Sequence, residues 1–155
     1  MEYLDVVDKI PGFGCIQAQG VSPIVDSINN NTDSKKEEKT IAGGIDIKSP
    51  LNGPRAIKCI NKTKGLVAAI TETEILDAQR DLARLEGIGA EPTGAVPIAG
   101  IRKLAEEGKI DCDECIVCMI TGHVLKDPSA ILNRYDTSEN IEANLTSVLN
   151  ALKVK

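Results

Sequence analysis

Short apolar runs alternate with amphipathic helical stretches along this chain, and this alternation restricts the possible folds more than any other feature. In the clearest unit, residues 66–70 are all apolar and are followed directly by Thr71-Glu72-Thr73-Glu74, the pattern of a helix capping box. An apolar run without polar alternation is typical of a strand covered on both faces. Such strands separated by helices predict an α/β domain with a parallel sheet.

The same patterns predict the other elements. Residues 115–120 are the best strand candidate, and residues 90–91 could extend briefly as a strand. The remaining predicted strand is 13–18, and the predicted helices cover 24–29, 53–64, 72–86 and 93–107, with a last helix starting near Thr137 or Ser138. Apolar stripes should face inward on the later helices; they consist of Ile75, Ala78, Leu82 and Leu85, then Ile98, Ile101, Leu104 and Ala105, and finally Ile141, Leu145, Val148, Leu149 and Leu152. Thr93 is expected to cap its helix, with Pro97 in the first turn.

The size and the polar segments predict one domain over residues 1–155. Residues 29–39 contain no apolar side chain and predict a mobile, solvated loop. No apolar stretch approaches the ~20 residues that span a bilayer. The first residues are acidic and lack the features of a signal peptide, so a cytoplasmic protein is expected.

Charge and aromatic content argue against binding to nucleic acids or anionic membranes. The chain has 23 acidic and 18 basic residues, a net charge of −5, and no basic stripe that could neutralise a phosphate backbone. It has no Trp, and its aromatic residues are Phe13, Tyr3 and Tyr135, too few for a base-stacking platform.

Five cysteines, an odd number, argue against a disulfide framework in a cytosolic protein. Three of them form the run Cys112-x-x-Cys115-x-x-Cys118, which could be a metal or iron–sulfur site. A closed zinc site usually has four ligands arranged as two spaced pairs, and the chain has no second pair. A four-iron cluster needs a fourth Cys nearby, and none follows Cys118. Buried apolar cysteines of a strand are the favoured interpretation, and no metal is predicted.

One octapeptide after the last predicted strand carries a family resemblance. Thr121-Gly122-His123-Val124-Leu125-Lys126-Asp127-Pro128 resembles the Thr-Gly-His-Gly-Leu-Lys-Asp-Pro signature near the C-terminus of the threonine synthases. Further segments resemble the same family in the same order: residues 14–23, the Thr40-Ile41-Ala42 segment, and the pairs Glu86-Gly87 and Glu91-Pro92. The resemblance covers residues 5–153. It implies a three-layer α/β/α fold with a mostly parallel sheet, as in the C-terminal part of the large domain of tryptophan synthase β-like enzymes.

The resemblance also implies a chemistry. Threonine synthases use pyridoxal 5'-phosphate (PLP) to convert O-phosphohomoserine and water into L-threonine and phosphate, with the cofactor ring as electron sink. In these enzymes a neutral hydroxyl meets the pyridine nitrogen, and Thr121 matches that position. Taken alone, Thr121 could equally be a turn or capping hydroxyl.

Three further residues match cofactor-layer positions of the family. Ala42 and Gly43 match a segment whose small side chains let the backbone approach cofactor or substrate, although a plain turn explains them as well. Glu91 matches a position near the cofactor, although a Glu before Pro can simply end a strand. His123 is expected to have a structural hydrogen-bonding role.

The chain lacks parts that the family needs. None of its 13 lysines lies in the Ser-Phe-Lys-Asp-Arg-like motif of the Schiff-base lysine, and Lys126 is not that lysine. The Gly-Asn-rich loop for the cofactor phosphate is also missing. No catalytic residue is therefore assigned. The resemblance implies a C-terminal portion that is inactive alone and acts on a small phosphorylated amino acid together with a missing N-terminal half or a partner copy.

Two departures leave the substrate open. Val124 stands where the family usually has Gly, and Gly94 where Ser or Ala is commoner. A related PLP enzyme, such as threonine dehydratase or cysteate synthase, is one alternative. A free-standing flavodoxin-like binding or regulatory module is the other, since the alternating pattern alone permits it.

Overall fold

The computed structural model describes residues 8–31, 39–132 and 140–152. Its regular elements are strands β1 (Cys15–Ala18) and β2 (Val67–Ile70) and helices α1 (Pro23–Ile28), α2 (Gly53–Lys62), α3 (Glu72–Glu86), α4 (Pro92–Glu106), α5 (Ser129–Leu132) and α6 (Leu145–Ala151). Short 3-10 turns cover Gly43–Ile45 and Val124–Lys126. Most of the predicted mobile loop over 29–39, and the predicted start of the last helix near Thr137 or Ser138, lie outside the described residues.

β1 and β2 form a parallel pair, as the alternating pattern predicts. The register joins Cys15 to Val67 and runs in step to Ala18 opposite Ile70. Parallel neighbours need a crossover connection, which α1 and α2 supply. The α/β class with a parallel sheet is confirmed.

Helices α3 and α4 pack against each other and build most of the core with β2. α3 starts with the predicted capping box, in which the Thr71 hydroxyl accepts from the backbone N–H of Glu74 and the Glu74 carboxylate accepts from that of Thr71. It ends at Gly87, whose φ of 68° is the left-handed conformation that glycine adopts most readily. The core cluster is Ala18, Ala42, Ile70, Ile75, Ala78, Leu82, Ala90, Ala95, Val96 and Ala99.

Glycine in α4 allows the close approach of this helix to the sheet. A Cβ at Gly100 would lie 2.4 Å from Cγ1 of Ile16 in β1. A larger residue would push the helix off the strand or force Ile16 out of its rotamer.

The strand prediction for residues 115–120 is wrong for the chain as described. These residues form neither strand nor helix, and most of their side chains are exposed. An apolar run becomes a strand only when another strand pairs with its backbone, and none of the described residues does so. The brief strand at residues 90–91 amounts to a single antiparallel bridge between Ala90 and His123.

Several details of the helix predictions are also corrected. α4 begins at Pro92 after Glu91, so Thr93 is not its cap and Pro97 lies beyond its first turn. The N-cap side chain makes no capping hydrogen bond, because Glu91 is engaged elsewhere. Leu85 and Ala105 are exposed rather than inward, and Ile141 precedes α6 rather than belonging to it.

Across the residues described, no helix has both the length and the apolar character that crossing a membrane requires.

Candidate active-site edge

The segments that carry the predicted site residues converge at the start of α4. The backbone N–H of Glu91, the residue before α4, donates to the carbonyl of Gly122 at 2.9 Å. Thr121 directly precedes Gly122 in the sequence. In the first turn of α4, the Thr93 hydroxyl accepts from the backbone N–H of Gly44 at 3.1 Å. The structure thus brings the octapeptide and the Thr40-Ile41-Ala42 segment to the same end of one helix, although 78 residues of sequence separate Gly44 from Gly122.

Glu91 is the most constrained of these residues. Only 7% of its surface is exposed, and its carboxylate oxygen Oε1 lies 3.3 Å from Nζ of Lys126. A Cβ at Gly122 would be 2.0 Å from the same oxygen. Only glycine fits at position 122 with the carboxylate in place, because such an overlap requires Glu91 to move. A charged group so little exposed needs an opposite charge, which Lys126 supplies.

The octapeptide turns tightly over the loop that precedes α4. The backbone N–H of Val124 donates to the carbonyl of Gly89 at 2.9 Å. Nδ1 of His123 accepts from the N–H of Leu125 at 3.2 Å, so this ring caps the 3-10 turn. His123 therefore has the structural role expected from the sequence.

Val124 is accommodated by a glycine that sequence reasoning missed. A Cβ at Gly89 would be 2.9 Å from Cγ1 of Val124, so the side chain packs over a position that has none. Gly94 is tight in a similar way, because a Cβ there would lie 3.2 Å from the carbonyl oxygen of Gly122. Of the two departures from the family pattern, Gly94 thus lies against Gly122 and Val124 packs over Gly89.

The small-residue segment divides between core and surface. Ala42 is fully buried in the core cluster with Ala90 and Ala95. Gly43 is exposed, begins the 3-10 turn, and has no atom within 4 Å of where a Cβ would stand. The backbone at Gly43 is therefore open to the approach of another molecule.

Thr121 suits one edge of a PLP ring. Its side chain is exposed, and no other described residue hydrogen-bonds its hydroxyl. A neutral hydroxyl can donate to an unprotonated pyridine nitrogen. The nearby carboxylate of Glu91 is already paired with Lys126, so it does not compete as a free anion. These residues fit the ring-nitrogen edge of the cofactor, while its phosphate and Schiff base require groups from elsewhere.

The cysteine run does not converge on one point in the described part of the chain. Cys112 and Cys115 are exposed and Cys118 is half-buried, so these are not the buried strand cysteines that the sequence suggested. Burial raises the pKa of the Cys118 thiol, which disfavours the thiolate that a metal would bind. No cluster of three or more His, Cys, Asp or Glu side chains suited to a metal forms among the described residues.

Comparisons with known proteins show which family the chain belongs to. The model of a family described as pyridoxal-phosphate dependent enzymes matches residues 8–122. The threonine synthase of Methanosarcina acetivorans is 39% identical over 152 residues, which is 96% of this chain and 38% of that protein. The threonine synthase of Methanocaldococcus jannaschii is 41% identical over 155 residues, covering 98% of this chain and 38% of that protein.

Among solved structures, a T.th. threonine deaminase is similar with a TM-score of 0.47 and 21% identity, over 61% of this chain and 34% of that chain. The chain spans 38% of the length of each of the two archaeal threonine synthases.

Proposed function

This chain belongs to the family of pyridoxal-phosphate dependent enzymes, and we propose that it forms the C-terminal part of a threonine synthase-like enzyme. The whole enzyme would convert O-phosphohomoserine and water into L-threonine and phosphate. The observation that supports this proposal is the pair of hydrogen bonds at the start of α4, from Glu91 to Gly122 and from Gly44 to Thr93, which bring the segments carrying Thr121 and Gly43 to one helix end. The identity of 39–41% with two archaeal threonine synthases supports it.

PLP would supply the electron sink for carbanions at the substrate carbons. This chain's residues would hold the ring-nitrogen edge. Thr121 would donate to the nitrogen from its exposed hydroxyl, and the Gly43 backbone would allow close approach. Glu91 and Lys126 would fix the segment that carries Thr121, because their ion pair and the Glu91–Gly122 hydrogen bond join both sides of the turn.

The proposed partner is the N-terminal portion of the same enzyme, which would bring the Schiff-base lysine and the phosphate-binding loop. The proposed substrate is a small phosphorylated amino acid. This chain alone should form no stoichiometric Schiff base with PLP and should produce no threonine. Five free thiols suit a reducing compartment, so we place the assembled enzyme in the cytoplasm.

The experiment is a chimera with the Methanosarcina acetivorans threonine synthase. This chain replaces the portion of that enzyme which it matches, and threonine and phosphate are measured with O-phosphohomoserine as substrate. The chimera should bind PLP, seen by its absorbance, and form both products. Thr121→Val should lower kcat by about tenfold because one hydrogen bond to the ring is lost, while Thr121→Ser should retain most activity.

Two outcomes would contradict the proposal. A chimera that binds PLP and deaminates threonine, but leaves O-phosphohomoserine intact, would overturn the substrate assignment. A folded chimera in which Thr121→Val changes neither the PLP spectrum nor kcat would remove Thr121 from the cofactor edge.

A further inference from the structure

The 3-10 turn Gly43–Ile45 and the residues before it are held by side chains from two different helices. Before the turn, the Glu72 carboxylate of α3 accepts from the backbone N–H of Ile41 at 2.8 Å. Within it, the Thr93 hydroxyl of α4 accepts from the N–H of Gly44 at 3.1 Å. The acceptors lie 31 and 49 positions along the chain from their donors, so contacts that are distant in sequence place this turn.

Gly44 fits closely against the side chain of Thr93. A Cβ at position 44 would lie 3.0 Å from Oγ1 of Thr93 and 3.1 Å from its Cγ2, so both branches of the threonine occupy the space that a larger residue would need. A Cβ at Gly43, by contrast, would have no atom within 4 Å. Of the two adjacent glycines, the first therefore has an open backbone, and the second is the point where the turn contacts α4.

The position of Thr93 connects this contact to the octapeptide. Thr93 lies in the first turn of α4, two residues after Glu91, whose backbone N–H donates to the carbonyl of Gly122 at 2.9 Å. One helix start thus holds the Gly43 turn through a side chain and the octapeptide through a backbone group. The spacing between Gly43 and Thr121 therefore depends on the first turn of α4.

We propose that Thr93 is a positioning residue, whose hydroxyl fixes the backbone of Gly43 against the start of α4 and so sets the spacing between Gly43 and Thr121. This inference rests on the proposed function, in which both of those residues meet the cofactor. Groups that contact a ligand work best when neighbouring hydrogen bonds and packing hold them in place, and Thr93 supplies both to the turn. A misplacement of about 1 Å in an active site can cost about a hundredfold in rate.

The isolated chain tests this contact without any cofactor. Amide hydrogen exchange of the isotope-labelled 155-residue chain, followed by NMR, should be about fivefold faster at Gly44 in Thr93→Val than in the wild type, because the acceptor is lost. Thr93→Ser keeps the hydroxyl and should keep the slower exchange. Thr63→Val is the matched control, because the Thr63 hydroxyl also accepts a backbone N–H, from Phe13 at 3.3 Å, outside the segments of the site.

A pair of substitutions tests the fit between Gly44 and Thr93. Gly44→Ala alone should lower the urea midpoint, because the new methyl group would overlap the Thr93 side chain. Thr93→Ala removes both branches, so the loss caused by Gly44→Ala should shrink by about half or more in that background. The comparison cancels the effect of Gly44→Ala on the unfolded chain, since both backgrounds share it.

The chimera with the Methanosarcina acetivorans threonine synthase shows whether the contact matters for the cofactor. Thr93→Val should weaken PLP binding by about fivefold, measured by titrating the cofactor-free chimera and following absorbance, and should lower kcat by a similar factor. Thr93→Ser should restore both values. Thr63→Val should change neither.

Several outcomes would overturn the role of Thr93 while leaving the proposed function standing. They are unchanged exchange at Gly44 in Thr93→Val, additive effects of Gly44→Ala and Thr93→Ala, or faster exchange with unchanged PLP affinity and kcat, which would show a contact with no bearing on the cofactor. A chimera in which Thr93→Val speeds exchange and weakens PLP binding as expected, but which forms no threonine from O-phosphohomoserine, would support the role of Thr93 and contradict the proposed function.

Discussion

Helices α3 and α6 share an apolar stripe but differ in their surroundings. α3 belongs to the packed region, residues 8–31 and 39–111, and buries Ile75, Ala78 and Leu82. α6 belongs to the C-terminal region, residues 112–132 and 140–152, and has no buried residue, with Leu145 73% exposed. Both helices have an apolar stripe at helical spacing. Spacing therefore determines which face of a helix is apolar, whereas burial depends on a neighbouring surface.

The local signals at the two helix starts are equally good. Thr71 caps α3 by accepting from the N–H of Glu74 at 3.2 Å. Asn144 caps α6 by accepting from the N–H of Ser147 at 2.8 Å. The two regions therefore differ in long-range packing rather than in helix formation, and most helix stability in proteins comes from such packing.

The largest expected effect is the loss of a core side chain in the packed region. Ile75→Ala should lower the free energy of unfolding by about 2–5 kcal/mol, because Ile75 is fully buried and the substitution leaves a cavity. Leu149→Ala in α6 should change it by less than about 0.5 kcal/mol in the isolated chain. Urea unfolding followed by circular dichroism measures both. Equal losses would show that α6 packs on the rest of the domain.

A smaller effect separates the same local change in the two regions. Thr71→Ala removes the cap of α3 and should cost about 1 kcal/mol in the free energy of unfolding. Asn144→Ala removes the cap of α6 and should leave the urea transition unchanged, while amides of residues 145–151 exchange faster. If Asn144→Ala shifted the main transition as much as Thr71→Ala, the two regions would be unfolding as one unit.

Elements whose signals are local could be predicted from the sequence. The capping box at Thr71, the glycine end at Gly87 and the apolar run 66–70 each predict structure within a few residues, and all are present. The run 115–120 has an equally strong local signal. Its strand needs pairing to distant backbone, and the described part of the chain supplies none.

The candidate site shows the same limit. The octapeptide and the Glu91-Pro92 pair could be identified as motifs, and the structure does place them together. The pairing of Lys126 with Glu91 joins residues 35 positions apart. Nothing in the spacing predicts this ion pair or the packing of Val124 over Gly89, because both depend on how the turn folds over the start of α4.

The smallest expected effect is an acid dependence confined to the packed region. Arg102 of α4 donates to the Asp81 carboxylate of α3 at 2.9 Å, and chiefly this hydrogen bond, with help from Arg80, lowers the pKa of Asp81. A carboxyl whose pKa is lower in the folded state adds stability above its unfolded value of about 3.9, and that contribution is lost as the pH falls further. Asp81→Asn should therefore be slightly less stable than wild type near pH 6, and the difference should shrink below about pH 4.

Urea midpoints measured between about pH 2 and 6 test this, with Arg102→Met as the matched variant because it removes the main cause and keeps the carboxyl. Both variants should lose less stability than wild type as the pH falls, and Arg102→Met should show the smaller change because Arg80 still lowers the pKa of Asp81. If the urea midpoint of Arg102→Met fell with pH as steeply as that of the wild type, the contact between α3 and α4 would not be the source of the pH dependence. The effect is small because Arg102 is partly solvent-exposed, at 44%, and water screens the pair. A measurable difference would locate the acid-sensitive step at the α3–α4 contact, and so in the packed region rather than in the C-terminal one.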